Sequence, residues 1–322
     1  MPPLTRATTA FLFPGQGAQF AGMGKSLADR YPEAARIFEE ADSALGFSIS
    51  ELCFEGPEEQ LKLTENTQPA LLTTSIGAFA VLQSRGVTAD FVAGHSLGEY
   101  SALVAAGSLA FKDAVRLVRK RGQYMQEAVP AGAGAMAAIL KLPPDQLDAV
   151  LDEAAQGEVV AAANLNTPDQ VAIAGHAGAV QRAIDLAKAA GARRAVLLQV
   201  SAPFHCSLMK PAQERLKPDL DATVFHDLAI PLINNWQARE IHTGAEAREG
   251  LYHQIPNPVR WTETVRLLAA LGVTRCVEVG AGSVLSGLVR NIDPSMTTAK
   301  FGEAADWEKL PVELIPAGDR NQ

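Results

Sequence analysis

Cysteine is scarce in this chain of 322 residues, and Cys53, Cys206 and Cys276 stand far apart. Three scattered thiols suggest no disulfide framework and offer no metal-ligand spacing. The expectation is a protein of the reducing cytoplasm with no bound metal. Long apolar runs are missing too. No stretch of about 18 apolar residues occurs, so no membrane-spanning helix is expected. The opening MPPLTRATTAFLF lacks the basic start, apolar core and small-residue cleavage site of a secretory signal. Positive charge is in deficit: 28 Lys and Arg against 36 Asp and Glu give a net charge of −8. That argues against general nucleic-acid binding. An acidic protein partner needs only a local basic patch and stays open. Internal repeats and low-complexity blocks are absent as well.

What is present is an ordinary globular composition, 48% apolar and 20% charged. The length suits two domains, or one large domain carrying an insertion. Thr8–Phe13 reads as a short buried strand, followed by a Gly-rich loop from Pro14 to Gly24. The loop has neither the Lys-Ser/Thr ending of a phosphate loop nor G-x-G-x-x-G spacing. It is either a plain connection or a backbone brought close to a reacting centre, with Gln16 and Gln19 as its polar groups. Helices are predicted over Pro32–Leu45, Pro69–Arg85 (with Pro at the first helical position), Leu97–Leu109 and Lys112–Ala128.

From Gly132 the pattern changes to β-α-β-β-α-β. The segments are Ala135–Leu140, Pro144–Ala155, Val159–Asn164, Gln170–Ala174, Ala177–Ala190 and Ala195–Val200. That order is the split βαβ arrangement of ferredoxin-like domains. Strands at Ala229–Ile233 and Arg275–Val279 then alternate with helices at Ala245–Gln254 and Val259–Leu271, completing an α/β sheet. The expected division is a large α/β domain in two parts, residues 1–130 and 202–322, interrupted by a small ferredoxin-like domain at 131–201. The last dozen residues read as a loosely held tail.

The chemistry gathers at Gly94–Leu103, GHSLGEYSAL. The apolar Phe91-Val92-Ala93 ends a strand and the Ala/Leu-rich stretch after it opens a helix. Ser96 therefore sits on a G-x-S-x-G elbow, where a strained turn pushes a serine Oγ out at the end of a sheet. Amides opening the next helix point at the same spot and can stabilise an oxyanion. On Lys112–Ala128 the apolar stripe of Ala114, Leu117, Val118, Met125 and Ala128 also contains Arg121. A guanidinium on a buried face needs an anion. An internal Asp or Glu would serve, and so would a substrate carboxylate, which suits arginine's planar fork. His205, in SAPFHCSLMKPA, follows a strand at the seam where the inserted segment rejoins the rest. It is a capping or surface histidine, or it faces a cleft between domains. IPNPVRW, Ile255–Trp261, is a Pro-bounded turn that fixes backbone carbonyls.

Six segments together resemble one family: FLFPGQGAQ, TQPALL, GHSLGEYSAL, RGQYMQEAVPAGAGAMAA, SAPFHCSLMKP and NPVRW. In this order they are similar to malonyl-CoA:acyl carrier protein transacylases and the acyltransferase domains of fatty-acid and polyketide synthases. The resemblance implies an α/β-hydrolase-like large domain with an inserted ferredoxin-like small domain. It implies Ser96 as nucleophile, His205 as its base, and Arg121 as clamp for a malonyl carboxylate. Gln16 and Leu97 would supply oxyanion-hole amides, His95 and Gln68 would line the acyl pocket, and the Asn257 carbonyl would orient the His205 ring. His95 and Phe204, each placed before a reacting residue, resemble malonyl-selective members. The implied partners are malonyl-CoA and holo acyl carrier protein, with no cofactor, no nucleic acid and no membrane; a monomer is expected. One departure is Gly280–Leu285, GAGSVL, where the family reads GPGKVL: Ser283 replaces a lysine that could face an acidic carrier. Arg193 and Arg194, at the end of the insertion's second helix, are the candidate carrier patch. A serine hydrolase using the same elbow and a non-catalytic carrier-binding scaffold are the alternatives.

Overall fold

The structure is a computed structural model and describes residues 8–200 and 202–315. The first seven residues, Ser201, and most of the expected tail (316–322) lie outside the described residues. Among the described residues ten strands form two sheets. They are β1 (Thr8–Phe13), β2 (Phe91–Gly94), β3 (Gly134–Leu140), β4 (Val160–Thr167), β5 (Gln170–His176), β6 (Arg194–Leu197), β7 (Leu232–Ile233), β8 (Glu240–Ile241), β9 (Val273–Val279) and β10 (Thr297–Phe301).

The larger sheet runs β10-β9-β1-β2-β7-β8. Its first five strands are parallel and β8 returns antiparallel to β7. β1 is central, pairing with β2 from Ala10↔Phe91 to Phe13↔Gly94 and with β9 on its other edge. A strand covered on both faces is apolar throughout. Here Phe11 and Phe13 enter one core and Ala10 and Leu12 the other. The alternation follows from the two-residue repeat of a strand.

The helix predicted from Pro69 starts earlier, at Thr64, and runs to Ser84 with Pro69 inside it. Proline removes the amide that would bond the carbonyl four residues back, which is that of Glu65. The Arg119 guanidinium takes that carbonyl instead, Nη1 donating to it at 2.9 Å. A partner 54 residues away therefore makes the proline tolerable, and no local pattern announces it. The elbow helix is shorter than expected, Gly98–Ala105, and stops before Gly107, which has φ +76°.

The smaller sheet has the order β4-β5-β3-β6, antiparallel throughout. The helices Leu147–Ala155 and Ala177–Ala189 pack with Ala137, Ile139 and Ile173 in a core of their own. Met136 and Ala172 belong instead to the main core, with Phe204. Three other expectations shift. β6 begins at Arg194, so Arg193 and Arg194 lie beyond the helix they were expected to end. The strand expected at Ala229–Ile233 is only Leu232–Ile233, and the helix expected from Val259 begins at Trp261. The carboxyl-terminal helix Val284–Ile292 and β10 were not read from sequence.

Candidate active site

The cavity at the carboxyl ends of β1 and β2 has a volume of about 230 Å³. Open parallel sheets place ligands at such ends. Among its lining residues are Gln16, Gln68, His95, Leu97, Arg121 and Phe204, all expected from sequence, together with Ser96 and His205. Asn257 is not among them.

Ser96 has φ +51°, the strained left-handed conformation of the elbow. The flanking glycines are required by close approach. A Cβ on Gly94 would meet the Gly98 carbonyl at 2.0 Å, and one on Gly98 would meet the Phe13 carbonyl at 2.0 Å. The strand and the helix can cross this tightly only without side chains.

His205 is 2% exposed and also has positive φ, 58°. Its Nε2 lies 2.7 Å from Ser96 Oγ, and its Nδ1 lies 3.0 Å from the Gln254 carbonyl. A carbonyl only accepts, so Nδ1 carries the proton and Nε2 accepts from the serine hydroxyl. Burial, and next the Arg121 charge, push the imidazole down to about 3. It is therefore neutral at pH 7, which leaves the Nε2 lone pair to accept the serine hydroxyl. The carbonyl expected to orient the ring was that of Asn257. The hydrogen bond goes instead to Gln254, and the Asn257 carbonyl adds a smaller favourable contribution to the protonated ring. The Pro-bounded turn does fix the needed carbonyl, but it is the last helical residue before the turn that presents it.

Arg121 is 1% exposed. Its Nη1 donates to Gln68 Oε1 at 2.8 Å, and its Nη2 to Gln254 Oε1 at 2.8 Å and Ser96 Oγ at 3.1 Å. Among the described residues no Asp or Glu forms an ion pair with it, so two amides hold the cation in place of the carboxylate that spacing left open. Its Nε is buried without a partner. Burial lowers its pKa, while Tyr100 and Glu99 act against that shift. A buried guanidinium with an unpartnered Nε beside Ser96 Oγ has the fork geometry that binds a carboxylate.

Among the described residues no hydrogen bond engages the amide N–H of Gln16 or Leu97. Gln16 Nε2 donates to Thr64 Oγ1 at 3.4 Å. His95 Nε2 donates to Asn166 Oδ1 on β4 at 2.9 Å, its ring tilted against Trp261, and burial lowers its pKa.

Three residues of this site escaped the sequence reading. Gln254 Nε2 donates to the Ser96 carbonyl at 2.9 Å and to Glu99 Oε2 at 2.8 Å. Asn235 Oδ1 accepts the Ser96 amide at 2.7 Å, and its Nδ2 donates to the Gly94 carbonyl at 2.7 Å. Glu99 accepts the Asn235 amide at 3.0 Å. Two signals were available: a carboxylate on an otherwise apolar helix, and Asn234-Asn235 directly after an apolar strand.

Comparison with known proteins gives one result. A family described as "Acyl transferase domain" matches residues 10–302. A malonyl CoA-acyl carrier protein transacylase of Bacillus subtilis is 53% identical over 313 residues, covering 97% of this chain and 98% of its own length. An acyl carrier protein S-malonyltransferase of Vibrio cholerae superposes with a TM-score of 0.92 at 44% identity, covering 95% of this chain and all of that one. A type II PKS acyl-carrier protein in complex with its malonyl-transacylase matches with a TM-score of 0.92 at 44% identity, over 94% of this chain and 98% of that chain.

Proposed function

The chain belongs to the acyl transferase domain family, and from that premise we propose that it moves a malonyl group from malonyl-CoA to the phosphopantetheine thiol of an acyl carrier protein. The observation that carries the reading is the buried Arg121 guanidinium, 3.1 Å from Ser96 Oγ and without a carboxylate partner among the described residues. A malonyl thioester has a carboxylate at one end and the reacting carbonyl at the other. A cation beside the nucleophile suits that substrate and gives a simple esterase nothing.

The reaction runs in two displacements. Ser96 Oγ attacks the thioester carbonyl as its proton passes to His205 Nε2. The C–S bond breaks, and the CoA sulfur leaves with that proton. The carrier thiol then gives its proton to His205 Nε2 and attacks the malonyl-serine ester. The C–O bond breaks and Ser96 recovers its proton. The amides of Gln16 and Leu97 receive the oxyanion; loss of one such donor typically costs roughly 10²–10³ in rate. His95, Gln68 and Phe204 shape the acyl pocket, and no resident metal or cofactor enters the scheme.

The architecture belongs to the same proposal. The parallel sheet bearing an elbow supports an α/β-hydrolase-like large domain, residues 1–130 and 202–322. The β4-β5-β3-β6 order with two helices supports a ferredoxin-like insertion at 131–201. The test is intact mass. Wild type incubated with malonyl-CoA gains one malonyl group, Ser96→Ala gains none, and added holo carrier protein takes the label from the enzyme. Release of free malonate without carrier labelling would make the protein a hydrolase, and an unlabelled wild type would make it a scaffold.

A further inference from the structure

Glu99 is wholly buried, three residues beyond Ser96 on the elbow helix, and the reaction above gives it no task. Burial pushes its carboxyl up to about 7, against hydrogen bonds from Gln254 and Asn235 and the charge of Arg121. A buried carboxyl is costly, so its place in the core calls for a reason.

The contacts supply one. Only Oε2 is used: it accepts Gln254 Nε2 at 2.8 Å and the Asn235 backbone amide at 3.0 Å, while Oε1 has no partner. A side-chain amide has a donor end and an acceptor end. With an acceptor at Oε2, the Gln254 NH₂ must face Glu99. Its Oε1 is then left for Arg121 Nη2, and its backbone carbonyl for His205 Nδ1. The second branch fixes Asn235, whose side chain ties down the Ser96 amide and the Gly94 carbonyl.

We propose that Glu99 is a positioning residue that holds the nucleophile, its base and the guanidinium in one geometry through Gln254 and Asn235. A proton on the partnerless Oε1 leaves Oε2 free to accept, so the device works with Glu99 neutral or charged. What it requires is an acceptor at that one point.

The inference rests on the transfer reading only in one arm of its test. That arm measures the rate of Ser96 malonylation by malonyl-CoA. The other measures Ser96 labelling by a small fluorophosphonate: Oγ attacks phosphorus, fluoride leaves, and His205 takes the proton. Glu99→Gln keeps an acceptor at the Oε2 position and should stay within about threefold of wild type in both. Glu99→Leu fills the space without an acceptor and should slow both about 100-fold, as small misplacements of reacting groups do. Glu99→Asp keeps the charge but withdraws the acceptor by one methylene, and should lose about tenfold. Leu at the wild-type rate, or Gln as slow as Leu, overturns the proposal. If Leu does not fold, Gln near wild type with Asp slow supports it, and any other pairing of those two overturns it. A wild type that takes the fluorophosphonate but no malonyl group would sink the transfer reading and leave the Glu99 comparison intact.

Discussion

Arg121 stands between two amides and a serine rather than against a carboxylate, and that arrangement separates its two possible purposes. A structural arginine loses its value equally for every substrate. A clamp loses it mostly for substrates that carry the matching anion. Arg121→Ala should therefore lower kcat/KM for malonyl-CoA on the order of 100-fold, the usual cost of truncating one partner of a buried charged pair. Acetyl-CoA, with no carboxylate to grip, should lose far less, so the malonyl-to-acetyl ratio falls. Arg121→Lys should restore part of the malonyl rate, because it returns the charge without the fork. The measurement is kcat/KM for both substrates on the three proteins. An equal fall for both would make Arg121 a packing residue that happens to be cationic.

The elbow depends on an absence of atoms. Between β1 and the helix Gly98–Ala105, any Cβ at Gly98 must displace the Phe13 carbonyl, which is backbone and cannot rotate away. Gly98→Ala should cost about 1–3 kcal/mol in urea unfolding, the range for forced overpacking, and should abolish Ser96 malonylation. Gly287, inside the helix Val284–Ile292 with nothing within 4 Å of an added Cβ, is the control. Gly287→Ala should be neutral or stabilise by up to about 1 kcal/mol. A Gly98→Ala protein with wild-type stability and labelling would show that the crossing has slack.

The same contrast between local and distant causes explains what the sequence revealed. Ser96, Arg121 and the β-α-β-β-α-β order were legible because spacing, glycine and periodicity mark them locally. Pro69 misled because its missing bond is replaced by Arg119, far along the chain. Gln254 carries no local mark, because its contacts are with a carboxylate and a histidine that no periodicity connects to it. Asn257 lies within a recognisable Pro-bounded motif, but the carbonyl that accepts from His205 belongs to Gln254, three residues earlier.

An enzyme with net charge −8 must attract an acidic carrier through a local field rather than a general one. Arg193 and Arg194 are exposed, and β6, which Arg194 opens, leads to Leu198 and Val200 on the cavity wall. Ser283, where a lysine was expected, precedes Val284, Leu285 and Leu288, which also line the cavity. We therefore assign the carrier's first contact to the arginine pair. Reversing both charges (Arg193→Glu with Arg194→Glu) should raise KM for the carrier about tenfold at low salt, and less as salt screens the contact. Ser96 malonylation by malonyl-CoA should be unchanged. An equal loss for malonyl-CoA and for the carrier would mean that the pair reads the phosphate they share rather than the carrier's surface.

The topology of β1 also governs how the protein comes into being. Among the described residues the earliest strand in the chain is the centre of the larger sheet, and one of its two neighbours, β9, is the ninth of ten strands. Until Val273–Val279 is made, the apolar run Ala10–Phe13 of β1 has one edge without its hydrogen-bonding partner. Such an edge is a template for unwanted pairing, and contacts this distant in sequence slow folding. Ser96 is likewise translated long before His205 and the Gln254 carbonyl that orients it, 109 and 158 positions upstream of them. A nascent chain therefore carries the elbow before the histidine that hydrogen-bonds Ser96 Oγ, and on the proposed mechanism it becomes reactive only once His205 and Gln254 have folded against it.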